Sequence, residues 1–240
     1  MKWVNDKTGR FPQRPHYLPE EIDDECERVI RDFLTKKYGE VEYPIKTDDL
    51  TVLIEQKADL DSYADLSGEP GEVEGVTEFT PRQRPVVRIA SALHATNMEN
   101  RLRTTLTHEW GHVQFHQFMF DDPINQSPSL FASQPKTHTN KCHRDNMIGA
   151  SERDWMEWQA GYACGAVLMP SSALVETVKR FRDEKQIPYA NLTASSEHGQ
   201  QLITLVTSTF QTSRDAARVR LLKRGILADA GGSRTAELFQ

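Results

Sequence analysis

The sequence predicts an α+β fold that is mainly α, with a small β-sheet placed before one long helix. Three observations carry that expectation. Apolar residues recur at three- and four-residue spacing in segments spread from residue 19 to residue 224. Only "VTEFTPRQRPVVRIA", 76–90, reads as strands, two short ones around a Pro-rich turn. Thr96 with Glu99 forms a capping-box pattern ahead of the longest helical segment, about 97–119.

Taken in order, "LPEEIDDECERVIRDFLTKKYG" aligns Ile22, Cys26, Val29, Ile30, Phe33 and Leu34 on one helical face. Acidic residues crowd its first turn, where the helix dipole favours them, and Gly39 supplies the stop. A shorter helix at about 48–57 carries Leu50, Leu53 and Ile54, and "LSGEPGEVEG", 66–75, is a loop by composition. The two strands and the long helix follow. Residues 121–150 show no period and many turn formers, so a long loop is expected there. Ser151 with Asp154 opens another helix that runs to about 169, where Pro170 ends it. Helices near 172–184, 195–209 and 213–224 complete the chain, the last starting at Ser213 and stopping at Gly225. The expected division is a domain over 1–185 that holds the sheet and the long helix, and a helical region over 186–240 with a helix-turn-helix look, packed on it.

Composition narrows the function. The 240 residues are 38% apolar and 27% charged, with net charge −6, the profile of an ordinary soluble protein. That balance gives no general attraction to nucleic acid or anionic membrane. No apolar run approaches the roughly 20 residues a membrane span needs, and "MKWVNDKTGRFPQRPHYLPEE" lacks the apolar core of a signal peptide. A cytoplasmic location is expected. Cys26, Cys142 and Cys164 are odd in number and widely spaced, which fits a reducing compartment better than a disulfide framework. No P-loop, GxGxxG or G-x-S-x-G motif is present, so nucleotide binding and serine chemistry have no foothold.

The chemistry concentrates in "TTLTHEWGHVQFH", 104–116. His108, Glu109 and His112 form H-E-x-x-H inside the long helix. Residues at i and i+4 lie about 6 Å apart on one face, so both imidazoles can reach a single ion at roughly 2.0–2.1 Å. Glu109 lies beside that face, where it can take a proton from a water at the ion. The flanking Leu102, Thr105, Leu106, Val113 and Phe115 describe a helix packed on more than one side, in which paired histidines need polar partners. His116 is eight residues beyond His108, about 12 Å along the axis, too far to share an ion with it. It is read as a supporting or packing residue.

A third ligand must come from elsewhere. In "SERDWMEWQAGYACGAVLMP", Trp155, Met156, Ala160, Ala163, Cys164, Val167 and Leu168 mark a buried helix, and Glu157 falls within that stripe. A carboxylate there is costly unless it is paired or bound to metal. Glu152 and Asp154, in the first turn, are accounted for by capping.

These residues resemble a family. "RLRTTLTHEWGHVQFH" followed by "EWQAGYACGAVLMP" is similar to the ImmA/IrrE zinc metallopeptidases, which pair an HExxH helix with a later helix of the form E-x-x-A-x-x-F-A-x-x-L-M-P. Glu157, Ala160, Ala163, Leu168, Met169 and Pro170 fall on that second pattern. The resemblance implies a zincin-like metallopeptidase domain with Zn2+ on His108, His112 and Glu157, and Glu109 as general base. It also implies a protein substrate, a helix-turn-helix transcriptional repressor cut to relieve repression.

Two other regions remain. His138, Cys142 and His143 could bind a second metal, but adjacent ligands chelate poorly, and a lid or specificity element over 121–150 is the preferred reading. Arg214, Arg218, Arg220, Lys223 and Arg224 make the last helix strongly basic, which could contact phosphates. DNA binding is possible but less favoured than packing against the catalytic domain with the arginines solvated. The alternative function is a non-catalytic regulatory protein on a metallopeptidase fold, acting through repressor or DNA binding.

Overall fold

A computed structural model describes residues 1–121, 138–143, 154–188 and 192–229. Its element order is β1 (Lys2–Asn5), β2 (Gln13–His16), α1 (Pro19–Tyr38), α2 (Thr47–Glu55), β3 (Asp59–Ala64), β4 (Val73–Phe79), β5 (Val86–Ala90), a 3₁₀ turn (Ser91–His94), α3 (Glu99–Asp121), β6 (His138–His143), α4 (Trp155–Leu168), α5 (Ser171–Lys185), β7 (Leu192–Thr193), α6 (Glu197–Phe210), α7 (Arg214–Lys223) and β8 (Leu227–Ala228). The α+β, mainly helical class is as expected. No helix among the described residues is long and apolar enough to cross a membrane.

The first helix follows its sequence signals closely. Pro19 begins α1, Ile22, Cys26, Ile30 and Leu34 are its buried stripe, and Gly39 closes it in the left-handed region at φ 83°. That backbone is cheap only for glycine. Helix α7 is likewise capped by Ser213, whose hydroxyl accepts from the Ala216 N–H at 3.1 Å.

The sheet is larger than the two strands expected. Its order is β3-β5-β4-β6, with β3 parallel to β5 and β4 antiparallel to both its neighbours. β6 lies inside the segment expected to be a loop. Local propensity is weak in "HTNKCH", and the strand exists by pairing with the second edge of β4, with Cys142 opposite Gly75 and Asn140 opposite Thr77. Cys142 and His143 thus fall on a strand. The rest of the expected lid, together with Ser151 and Glu152, lies outside the described residues. The N-terminal hairpin of β1 and β2 also went unforeseen.

Two caps differ from expectation. Helix α3 starts at Glu99 itself, and the Glu99 carboxylate accepts from Thr47 Oγ1 at 3.0 Å, so it is used to tie α2 to α3. Asp154 makes no capping bond at α4 and instead takes both guanidinium nitrogens of Arg10, at 3.2 and 2.9 Å.

Helix α3 is the axis of the molecule, and every residue from Leu102 to Val113 is buried. Arg103 belongs to that run. It donates to the carbonyls of Ile45 (2.6 Å), Gln211 (3.0 Å) and Phe210 (3.3 Å). The last two carbonyls are the frayed end of α6, so a buried cation meets the negative end of a helix dipole. One apolar core runs from Ile22 and Ile30 of α1 through Leu106 and Trp110 of α3 to Val206 and Leu221 near the C-terminus.

The basic helix α7 is solvated only in part: Arg214, Arg218 and Lys223 are exposed as expected, while Arg220 is buried and Arg224 half-buried. Arg220 is 2% exposed and donates to Asp23 Oδ1 at 2.5 Å, and Arg224 donates to Asp23 Oδ2 at 2.7 Å. Arg218 pairs with Asp229 at 2.6 Å, and Arg214 donates to Thr204 Oγ1 at 2.8 Å. The cause is Asp23 on α1, a buried acid that draws two of these arginines inward.

Candidate metal centre

The site starts from a close helix contact. A Cβ added at Gly111 would lie 3.1 Å from Ala160 Cα and 3.3 Å from Ala163 Cβ. Small residues at these three positions let α3 and α4 approach far enough for Glu157 to reach the histidines. His108 Nε2 lies 3.2 Å from Glu157 Oε2, His112 Nε2 lies 3.2 Å from Glu157 Oε1, and the two Nε2 atoms are 3.1 Å apart. All three residues are buried, Glu157 being 8% exposed.

This triangle could hold a metal ion. Donors arranged tetrahedrally at the bond lengths zinc favours stand about 3.3–3.4 Å apart, close to the spacings found. Two imidazole nitrogens and a carboxylate are also a chemically suitable donor set for a divalent cation such as zinc. Burial pushes the Glu157 carboxyl up, but the imidazoles of His112 and His108 push it down further and hold it below the usual carboxylate range. Burial lowers the His112 imidazole, and the Glu157 charge more than reverses this, so its affinity for a positive charge is raised.

Glu109 sits against the sheet. Thr77 Oγ1 of β4 donates to its Oε2, while Oε1 is buried with no hydrogen-bond partner among the described residues. A Cβ at Gly75 would lie 2.9 Å from both Cγ and Cδ of Glu109, so any larger residue there requires the Glu109 side chain to move. Neighbouring Glu74 is buried and pairs with Arg101 of α3, which fixes β4 on the helix. Burial pushes the Glu109 carboxyl above its ordinary value, against the opposing pull of His112, His108 and the Thr77 hydroxyl.

His116 lies outside the triangle and packs against His112. Its Nδ1 is 3.1 Å from His112 Nδ1 and its Nε2 is 3.0 Å from Gln159 Oε1. Burial and the neighbouring His112 hold it well below the usual imidazole range. Gln159, Thr77 and Gly75 escaped the sequence reading, because each meets the motif only through tertiary contact. For Gly75 a signal existed, a glycine inside a strand pattern marking close approach of another group.

No protein-family model matches the chain, and no curated protein matches it.

Proposed function

We propose that the chain is a zinc-dependent endopeptidase, with His108, His112 and Glu157 as the metal ligands and Glu109 as the general base. The observation that carries this is the convergence of two imidazoles from α3 and one carboxylate from α4 at tetrahedral-edge spacing, with a second carboxylate held beside them. When bound, zinc supplies Lewis acidity to a scissile carbonyl and makes a nearby water more acidic.

The protein's own part is proton handling. Thr77 anchors Glu109 by Oε2, and Oε1, buried against Gly75 without a hydrogen-bond partner among the described residues, would be the oxygen that accepts the proton of the attacking water. A carboxyl with a raised proton affinity is suited both to take that proton and to return it to the leaving amine.

The resemblance to ImmA/IrrE peptidases supports a helix-turn-helix repressor as the substrate, cleaved to restore transcription. The commitment of the α7 arginines to Asp23, Asp229 and Thr204 supports this reading over one in which that helix contacts DNA. Metal analysis of the purified protein is expected to find one zinc per chain, lost in His112→Ala. Glu109→Gln is expected to keep zinc and to leave uncut any helix-turn-helix repressor that the wild type cleaves, as judged by mass spectrometry. Full relief of repression by Glu109→Gln would instead establish a binding role.

A further inference from the structure

His116 and Gln159 are completely buried and joined to a metal-ligand candidate, yet neither belongs to the ligand triangle. The direction of the hydrogen bonds that join them follows from the far end. The Pro15 carbonyl on β2 can only accept, so the Gln159 amide group facing it at 3.0 Å is the NH2. Gln159 Oε1 then faces His116 Nε2 at 3.0 Å, and an amide oxygen can only accept, so this Nε2 carries a hydrogen. Donation from Nε2 leaves the other nitrogen of His116, Nδ1, facing His112 Nδ1 at 3.1 Å. An imidazole that meets an ion through Nε2 keeps its hydrogen on Nδ1, so with His112 Nε2 turned to the ligand triangle the donor of this contact is His112 Nδ1.

We propose that His116 and Gln159, anchored on the Pro15 carbonyl, are positioning residues that fix the hydrogen of His112 on Nδ1 and so leave its Nε2 for a metal ion. This rests on the metal-site reading above. The arrangement gives the N-terminal hairpin a role, since Pro15 is the terminus of the relay and Arg10 of the same hairpin grips Asp154 at the start of α4. His108 is the internal contrast, because its buried Nδ1 has no partner among the described residues. The relay prepares one ligand ahead of the other.

The test uses the full chain and two measurements. In metal-free wild-type protein, 15N NMR of the imidazoles is expected to show His112 with hydrogen on Nδ1. Zn2+ affinity, from competition with a chromophoric chelator, is expected to fall about 10–100-fold in His116→Phe and in Gln159→Leu, as for other outer partners of metal ligands. His116→Gln, which keeps an acceptor one helical turn from His112, is expected to stay near wild type. Absence of a hydrogen from His112 Nδ1 in the metal-free wild type would overturn the proposal without reference to any variant. So would wild-type affinity in folded His116→Phe. If His112→Ala binds Zn2+ as tightly as wild type, the metal site itself is misassigned, a result distinct from failure of the relay alone.

Discussion

Glu109 folds its side chain across Gly75, so close that a methyl group there would require the Glu109 side chain to move. The contact sets where the carboxylate stands without touching His108, His112 or Glu157 directly. Gly75→Ala is therefore expected to displace Glu109 while leaving zinc stoichiometry near one. Peptide cleavage should fall by about 10²–10⁴-fold, the range general-base catalysis contributes. Thr77→Val is expected to act in the same direction, since it removes the bond to Oε2. Loss of zinc in Gly75→Ala would show that the strand supports the ligands instead.

Gly111 makes a second prediction that weighs two effects. Alanine in place of a helical glycine gains about 1 kcal/mol of helix propensity. Its Cβ would press on Ala160 Cα at 3.1 Å and its carbonyl oxygen at 3.2 Å, both backbone atoms that cannot rotate away. Overpacking of this kind costs about 1–3 kcal/mol, so the steric term wins. Gly111→Ala is expected to lower stability in urea unfolding and to weaken Zn2+ binding, because it pushes Glu157 from the histidines. Unchanged metal affinity would mean that α4 tolerates the shift.

The parts of this centre that one helix or one stripe encodes were legible in the sequence. His108 and His112 are related by helical geometry alone, and Glu157 stood out as an acid among apolar neighbours. What escaped were relationships between remote segments. β3 and β6 carry little local strand signal and form because the edges of β5 and β4 need partners. Gln159 reads as an ordinary polar residue until Pro15, 144 positions earlier, is found against it. Arg220 and Arg224 looked solvated for the same reason: Asp23, their buried partner, lies 197 positions from Arg220.

That pair gives the third prediction. Asp23 Oδ2 also accepts from the Tyr162 hydroxyl at 3.0 Å, so one carboxylate joins α1, α4 and α7. Asp23→Ala leaves Arg220 buried and without its acid, and removal of one partner from a buried ion pair costs about 3–5 kcal/mol. A matching loss is expected in chemical denaturation. Asp23→Leu combined with Arg220→Met should recover much of it, since apolar replacement of a whole buried pair is often neutral. If the double variant is as unstable as Asp23→Ala, the loss comes from packing around Tyr162.

The buried thiols give a pH prediction. Cys26 and Cys164 are free and buried. Burial is the main cause that pushes the Cys164 thiol up to about 11, although the Thr107 hydroxyl donating to its sulfur opposes the rise, and Cys26 is pushed well above its ordinary value in the same way. The folded protein thus holds both protons more tightly than the unfolded chain, where a thiol titrates near 9. By linkage, the stability associated with these groups is full below pH 9 and is lost as pH rises towards about 11. Melting temperature should decline across that window, and the decline should be smaller in Cys164→Ala. Alkylation reads out the same property: in Cys142→Ser protein, iodoacetamide is expected to leave both remaining cysteines unmodified at pH 8 until denaturant is added. Rapid labelling of the native variant at pH 8 would mean that one thiol is reached by solvent, and the buried assignment of that cysteine would fail.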